Sequence, residues 1–129
     1  MSAPAGTAVL VVDDNPANLR LLGFVLQAEG YQVHSAEDAE AALRVLARVH
    51  PRLILMDVQL PDMDGLELTR RLKADPSTQD ILIVAVTAYA MKGDEEKAYA
   101  AGCDGYVTKP IDTRGLPVML AQLLASRSA

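Results

Sequence analysis

The segment Leu53-Ile54-Leu55-Met56-Asp57 constrains the fold more than any other stretch of the chain. Four large apolar residues stand in a row with no polar alternation, which suits a strand covered on both faces, as in the middle of a parallel sheet. The run stops at a carboxylate, and the loop Val58-Gln59-Leu60-Pro61 follows. Ligand sites in open α/β sheets lie just beyond the carboxyl ends of the strands, so Asp57 stands where chemistry is expected. An aspartate at that point could equally begin a turn. Taken alone, the segment leaves both readings open.

The pattern recurs along the chain. Ala8-Val9-Leu10-Val11-Val12 is a second unbroken apolar run, and it ends in Asp13-Asp14. Asn15 is then suited to cap a helix and Pro16 to begin it. Leu19, Leu22, Val25 and Leu26 recur at helical spacing up to Gly30, which fits a helix end. Tyr31 to Ser35 alternates as a less buried strand would. Glu37 or Asp38 opens a second helix with Ala41, Ala42, Val45, Leu46 and Val49 inward, and Pro51 stops it. After the turn cluster Pro61-Asp62-Met63-Asp64-Gly65, a third helix is expected over Gly65 to Ala74. Ile81 to Val86 forms the next buried strand, ending in Thr87. An acidic fourth helix is expected from about Lys92 to Ala101, with Gly102 as its cap. Gly105 to Thr108 is a short fifth strand ending at Lys109-Pro110. The last helix is expected to start near Thr113, with Leu116, Met119, Leu120, Leu123 and Leu124 on its apolar side and Pro117 tolerated in its first turn.

Five strands alternating with five helices and joined by short connections predict an α/β fold: a doubly wound parallel sheet with helices on both faces. At 129 residues, the chain makes one domain. A hydrophobic share of 50% with 22% charged residues is globular composition. The net charge of −5 argues against nucleic acid or an anionic membrane surface as partner, since both need basic surface. Cys103 is the lone cysteine, which excludes an internal disulfide and fits a reducing compartment. No apolar run approaches the roughly 20 residues of a membrane span, and residues 1–7 lack the charged and apolar parts of a signal peptide. A soluble cytoplasmic domain over residues 8–125 is expected, between a flexible tail at 1–7 and a polar tail at 126–129.

The strand ends carry the chemistry. In a parallel sheet, Asp13-Asp14, Asp57, Thr87 and Lys109 all fall on one edge. Singly, each has an ordinary reading: capping acids for Asp13-Asp14, a strand-end hydroxyl for Thr87, surface charge for Lys109. Together they make a site. Close carboxylates repel unless protonated or bound to a cation, and oxygen-only ligands select a hard ion such as Mg²⁺, with Mn²⁺ as a substitute. A hydroxyl and an ammonium beside them would hold phosphoryl oxygens, where catalysis is largely positioning and charge stabilisation. His34 and His50 lie away from this edge and are read as structural, and Cys103 as a small buried hydrophobe.

These residues also carry a resemblance. Val11-Val12-Asp13-Asp14-Asn15, Leu55 to Gly65, Val86-Thr87-Ala88 and Lys109-Pro110 resemble the signature blocks of a two-component response-regulator receiver domain, in order and over nearly the whole chain. The nearest types are single-domain regulators of the chemotaxis and cell-division kind and receivers fused to hybrid histidine kinases. The resemblance implies a flavodoxin-like sheet in the order 2-1-3-4-5. It implies that Asp57 accepts a phosphoryl group from a histidine kinase or histidine phosphotransfer protein, in a Mg²⁺-dependent reaction. Asp14 and Asp57 would ligate the metal with the backbone carbonyl of Gln59, and Asp13 would act mostly through bound water. Thr87 and Lys109 would hold the phosphoryl oxygens, and the Lys109-Pro110 bond would be cis. Tyr106 would be a rotamer switch coupled to Thr87, biasing a face for a downstream protein target. Gln59 and Tyr89 would flank the phosphoryl group and tune its lifetime, unless Tyr89 instead packs on the fourth helix. Such a chain modifies only itself and is not a turnover enzyme.

Four alternatives remain on the page. A receiver excised from a hybrid kinase or larger regulator has the same motifs, although Met1 and the polar end lean toward a complete regulator. A Mg²⁺-dependent aspartyl phosphatase of the haloacid-dehalogenase type would want its Asp-x-Asp nucleophile at the first strand. A flavodoxin-like cofactor binder would want a hydroxyl- or glycine-rich loop where Asp13-Asp14 stands. A partner-binding receiver without phosphorylation would not need the full set of acids.

Overall fold

A computed structural model describes residues 6–88 and 90–128 of the protein. Five strands form one parallel sheet in the order β2-β1-β3-β4-β5. They are β1 (Ala8–Val12), β2 (Gln32–Ala36), β3 (Leu53–Asp57), β4 (Leu82–Thr87) and β5 (Gly105–Thr108). The helices are α1 (Pro16–Ala28), α2 (Ala39–Leu46), α3 (Gly65–Ala74), α4 (Asp94–Ala100) and α5 (Gly115–Ser128).

The missing alternation in the central strands has a simple cause: both faces of the sheet are covered. Leu10, Ile54, Met56 and Ile83 point to one side, where Ala42 of α2, Leu68 and Leu72 of α3 and Ala98 of α4 meet them. Val9, Val11, Leu55 and Val84 point to the other, against Leu22 and Leu26 of α1 and Leu116, Leu120 and Leu124 of α5. Every residue of β3 and β4 is buried, Asp57 and Thr87 included. Each fully buried Leu or Ile in these layers contributes about 1.5–3 kcal/mol of transfer free energy. β2 and β5 lie at the edges and are the less buried strands, as the polar residues of β2 require.

Local chemistry sets the element ends. Asn15 caps α1 by accepting from the amides of Ala17 and Asn18, and Pro16 occupies the first turn. At its far end, Gly30 takes the left-handed conformation, and the Gly30 and Tyr31 amides bond back to Gln27 and Leu26. Tyr31 is therefore part of the helix exit, and β2 starts one residue later than its alternation suggests. Asp38, not Glu37, caps α2. That helix tightens and stops at Leu46, where the Arg48 amide reaches Val45, so Val49 lies beyond it. Gly93 has φ +90°, which no right-handed helix accommodates, so α4 cannot include Lys92 and begins at Asp94. Asp112 accepts from the Arg114 amide in a turn that delays α5 to Gly115 and leaves Thr113 outside it. Pro117 then falls in the first turn.

Before β1, the Gly6 amide donates to Gly30 O, and Thr7 O accepts from the Gln32 amide at the start of β2. α5 continues through Ser126 to Ser128.

Candidate functional site

The carboxyl ends of the strands converge between β1 and β3. There the chain runs from β1 outward to β2 on one side, while β3 lies on the other, and this reversal opens the crevice in which such sheets bind ligands. Asp13 and Asp14 follow β1, Asp57 closes β3, Thr87 closes β4, and Lys109 follows β5. The register places Val12 beside Met56, Asp57 beside Val86 and Thr87 beside Thr108, so these ends lie on one edge.

Carboxylate oxygens of Asp13, Asp14 and Asp57 all lie within 4.8 Å of one another. Asp13 and Asp57 are buried and Asp14 is exposed. The Lys109 ammonium bridges the buried pair, at 3.0 Å from Asp13 Oδ2 and 3.3 Å from Asp57 Oδ2. Asp13 Oδ1 also accepts from the Asn15 amide at 2.9 Å, and Asp57 Oδ1 from the Gln59 amide at 2.9 Å. Burial pushes the Asp57 carboxyl above its ordinary value, the Gln59 amide and the Lys109 charge pull it back, and Asp13 adds to the rise. Burial pulls Lys109 down, but its hydrogen bond to Asp13 and the charges of Asp57 and Asp13 outweigh that and hold its ammonium above the ordinary value. One ammonium does not neutralise three carboxylates. The donor set is all oxygen and keeps an excess of negative charge, so it fits a hard divalent cation.

Lys109 is held in place by its own backbone: its amide donates to Thr87 O at 2.8 Å, and the Lys109-Pro110 bond is cis, as expected. Thr87 is buried and shares a pocket of about 210 Å³ with Gln59, Tyr106 and the α4 residues Asp94 and Lys97. Tyr106 is half-buried, and its hydroxyl is enclosed with no hydrogen-bond partner among the described residues. Burial raises the phenol above its ordinary value, and the Asp94 and Glu95 carboxylates add to this. One pocket therefore joins the end of β4 to α4 through Tyr106. Tyr89 lies outside the described residues. His50 pairs with Asp80 at 3.1 Å beside the start of β4, on the edge opposite the acids, and His34 lies within edge strand β2. Cys103 is buried beside Thr69, and burial raises its thiol. Among the described residues, no helix is long and apolar enough to cross a membrane.

Three supporting residues escaped the reading of the sequence. Asn18, in the first turn of α1, reaches back with Nδ2 to Asp13 Oδ2 at 3.4 Å. Asp64 caps α3 through the Leu66 amide at 2.8 Å, and Asp62 bonds to the start of α2. The cap at Asp64 was visible as an acid before Gly65 and an apolar run. The reach of Asn18 and Asp62 depends on how helices pack, which local spacing does not encode.

Comparison with known proteins settles the class. A family model described as the response regulator receiver domain matches residues 9–121. The chain belongs to this family: it is a receiver domain of two-component signalling, a phosphoryl-accepting signalling switch. It is 44% identical over 104 residues to the polar-differentiation response regulator DivK of Brucella ovis, a match covering 81% of this chain and 85% of that relative. A CheY-like receiver domain protein from Methanospirillum hungatei superposes with a TM-score of 0.89 at 30% identity, over 96% of this chain and 98% of that one. The receiver domain of sensor histidine kinase PA1611 from Pseudomonas aeruginosa, solved with a magnesium ion coordinated in its active site cleft, gives 0.84 at 35% identity, over 94% and 99%.

Proposed function

We propose that Asp57 is the phosphoryl acceptor of this switch, and that Asp13, Asp14, Asp57 and the backbone carbonyl of Gln59 hold Mg²⁺ beside it, with Mn²⁺ as a substitute. The observation that carries the reading is the Lys109 ammonium bridging two buried carboxylates at 3.0 and 3.3 Å, with Asp14 alongside. A cation bound there neutralises the carboxylates and the oxygens of the group in transfer.

The donor is a histidine kinase or histidine phosphotransfer protein. A carboxylate oxygen of Asp57 forms the new P–O bond as the P–N bond of phosphohistidine breaks, leaving an acyl phosphate on Asp57 and imidazole on the donor. Lys109 exchanges its contact with Asp57 for a phosphoryl oxygen, and Thr87 donates to another. Tyr106 then follows Thr87, using the pocket the two share, and the face made by α4, β4, β5 and α5 binds a downstream protein. Gln59, whose amide is bonded to Asp57, flanks the group and tunes its lifetime together with Tyr89. The relatives' name, polar-differentiation response regulator, supports a regulatory output of this kind.

In this reading the chain catalyses only its own phosphorylation and dephosphorylation, in the cytoplasm, without nucleic acid or membrane as partner. Borohydride reduction of the phosphorylated protein converts an aspartyl phosphate to homoserine, and peptide sequencing should find it at position 57. Homoserine at another aspartate would move the acceptor.

A further inference from the structure

The loop that carries Gln59 is fastened to a helix other than the one it leads into. Asp62 reaches sideways to the first turn of α2: its Oδ1 accepts from the Ala39 amide at 2.9 Å and its Oδ2 from the Glu40 amide at 3.1 Å. These bonds, the one from Ala39 foremost, hold the Asp62 carboxyl below its ordinary value of 3.8. α2 does not depend on Asp62 alone for a cap. Asp38, its own N-cap residue, accepts from the Ala41 amide at 2.7 Å. The start of α2 therefore holds two carboxylates, one from the helix itself and one from the loop beyond Asp57.

The other side of that loop is closed from within. Gln59 pairs with Asp64 in a single antiparallel bridge, and the Gly65 amide donates to Val58 O at 2.8 Å. Asp62 lies between the two halves of this closure. The loop's inner bonds join it to Asp57 and α3, and Asp62 supplies bonds that run outward to α2.

We propose that Asp62 is a positioning residue for the acceptor site: it clamps the loop carrying Gln59 to the first turn of α2, so that the seating of α2 and the loop's conformation at the site are set together. The proposal rests on the reading of Gln59 and Asp57 as metal ligands and goes beyond it, because Asp62 touches neither the phosphoryl group nor the metal. A residue that only caps α2 would stabilise the helix and leave the loop as it was. Asp38 provides that comparison, since it serves the same helix start from the other side of the chain.

The experiment compares Asp62→Ala, Asp62→Asn and Asp38→Ala in the whole chain. It reads amide hydrogen exchange at Gln59 and Gly65 without metal, Mg²⁺ affinity by calorimetry, and the denaturant midpoint. Asp62→Ala should speed exchange at both amides and weaken Mg²⁺ by about tenfold, the low end of what a group supporting a metal ligand is worth. Asp38→Ala should lower the midpoint comparably while leaving loop exchange and Mg²⁺ affinity at wild-type values. Asp62→Asn, which keeps one side-chain acceptor, should recover part of both. Equal effects of the two alanine variants on the loop, or none from Asp62→Ala, would overturn the clamp and leave Asp62 a helix cap. Failure of wild-type protein to bind Mg²⁺ would remove the ligand reading, and metal-free exchange at Gln59 and Gly65 would still decide for or against Asp62.

Discussion

Gly65 sets how closely α3 can begin to the end of β3. A Cβ at this position would run into the carbonyl oxygen of Asp57 and come within 2.9 Å of Val58 Cα, both backbone atoms that cannot swing aside. Gly65→Ala should therefore cost about 1–3 kcal/mol, the range for forcing an atom into a filled interior. Urea unfolding checks this, and an unchanged midpoint would show that the loop yields more easily than its contacts suggest. The acids themselves were legible because each closes or follows an apolar run, and a parallel sheet sends such ends to one edge. Asn18 was not legible: its Nδ2 lies 3.4 Å from Asp13 Oδ2, and whether the helix turns back far enough for that contact depends on the angle at which α1 leaves β1. Local spacing gives the turn but not the angle.

Among the elements, β3 and β4 could be read almost residue by residue, since unbroken apolar runs leave little choice about where a doubly covered strand lies. Helix ends were less visible. Nothing in the composition around Gly93 distinguishes a glycine inside a helix from one at φ +90° just before it, and Asp112 looks like a surface acid until its turn is seen. The seam between β4 and β5 was also hidden. Lys73 of α3 lies at 2.8 Å from Ile81 O and 2.9 Å from Asp104 Oδ2, and that same oxygen accepts from the Ile83 amide at 2.9 Å. One carboxylate thus satisfies a largely buried ammonium and a strand amide at the point where β5 begins. Asp104→Ala removes the acceptor of the Ile83 amide and leaves the Lys73 ammonium with Ile81 O but no counter-charge, and should cost about 1–3 kcal/mol. Asp104→Asn keeps an acceptor for one of them and should cost less. Chemical denaturation of the two variants side by side is the check, and equal losses would mean that the carboxylate's bonds matter less than its packing.

For the molecule as a whole, the sheet order brings together residues far apart in sequence, and the metal reading makes fold and ligand interdependent. Anything that binds only the folded state stabilises it, by about 2.7 kcal/mol at a hundredfold excess over its dissociation constant. Mg²⁺ should accordingly raise the melting temperature of the wild type. Asp14→Ala, which removes an exposed member of the cluster, should weaken Mg²⁺ by about tenfold or more and reduce that rise. Calorimetry showing unchanged Mg²⁺ affinity in this variant would put Asp14 outside the ligand set. The parallel α/β class was legible because three unbroken apolar runs, two weaker strands and four strand-end motifs agree on it, and the order 2-1-3-4-5 was legible only through the receiver resemblance. The state of Tyr106 was not, because a side chain's rotamer belongs to the pocket it faces. The central claim, that Asp57 accepts one phosphoryl group with Mg²⁺ present, is tested most directly by intact mass after incubation with acetyl phosphate. The wild type should gain a single phosphoryl group in Mg²⁺ and none in excess chelator, and Asp57→Asn should gain none in either. Equal labelling of Asp57→Asn in Mg²⁺ would contradict the assignment, because the acceptor would then be another residue.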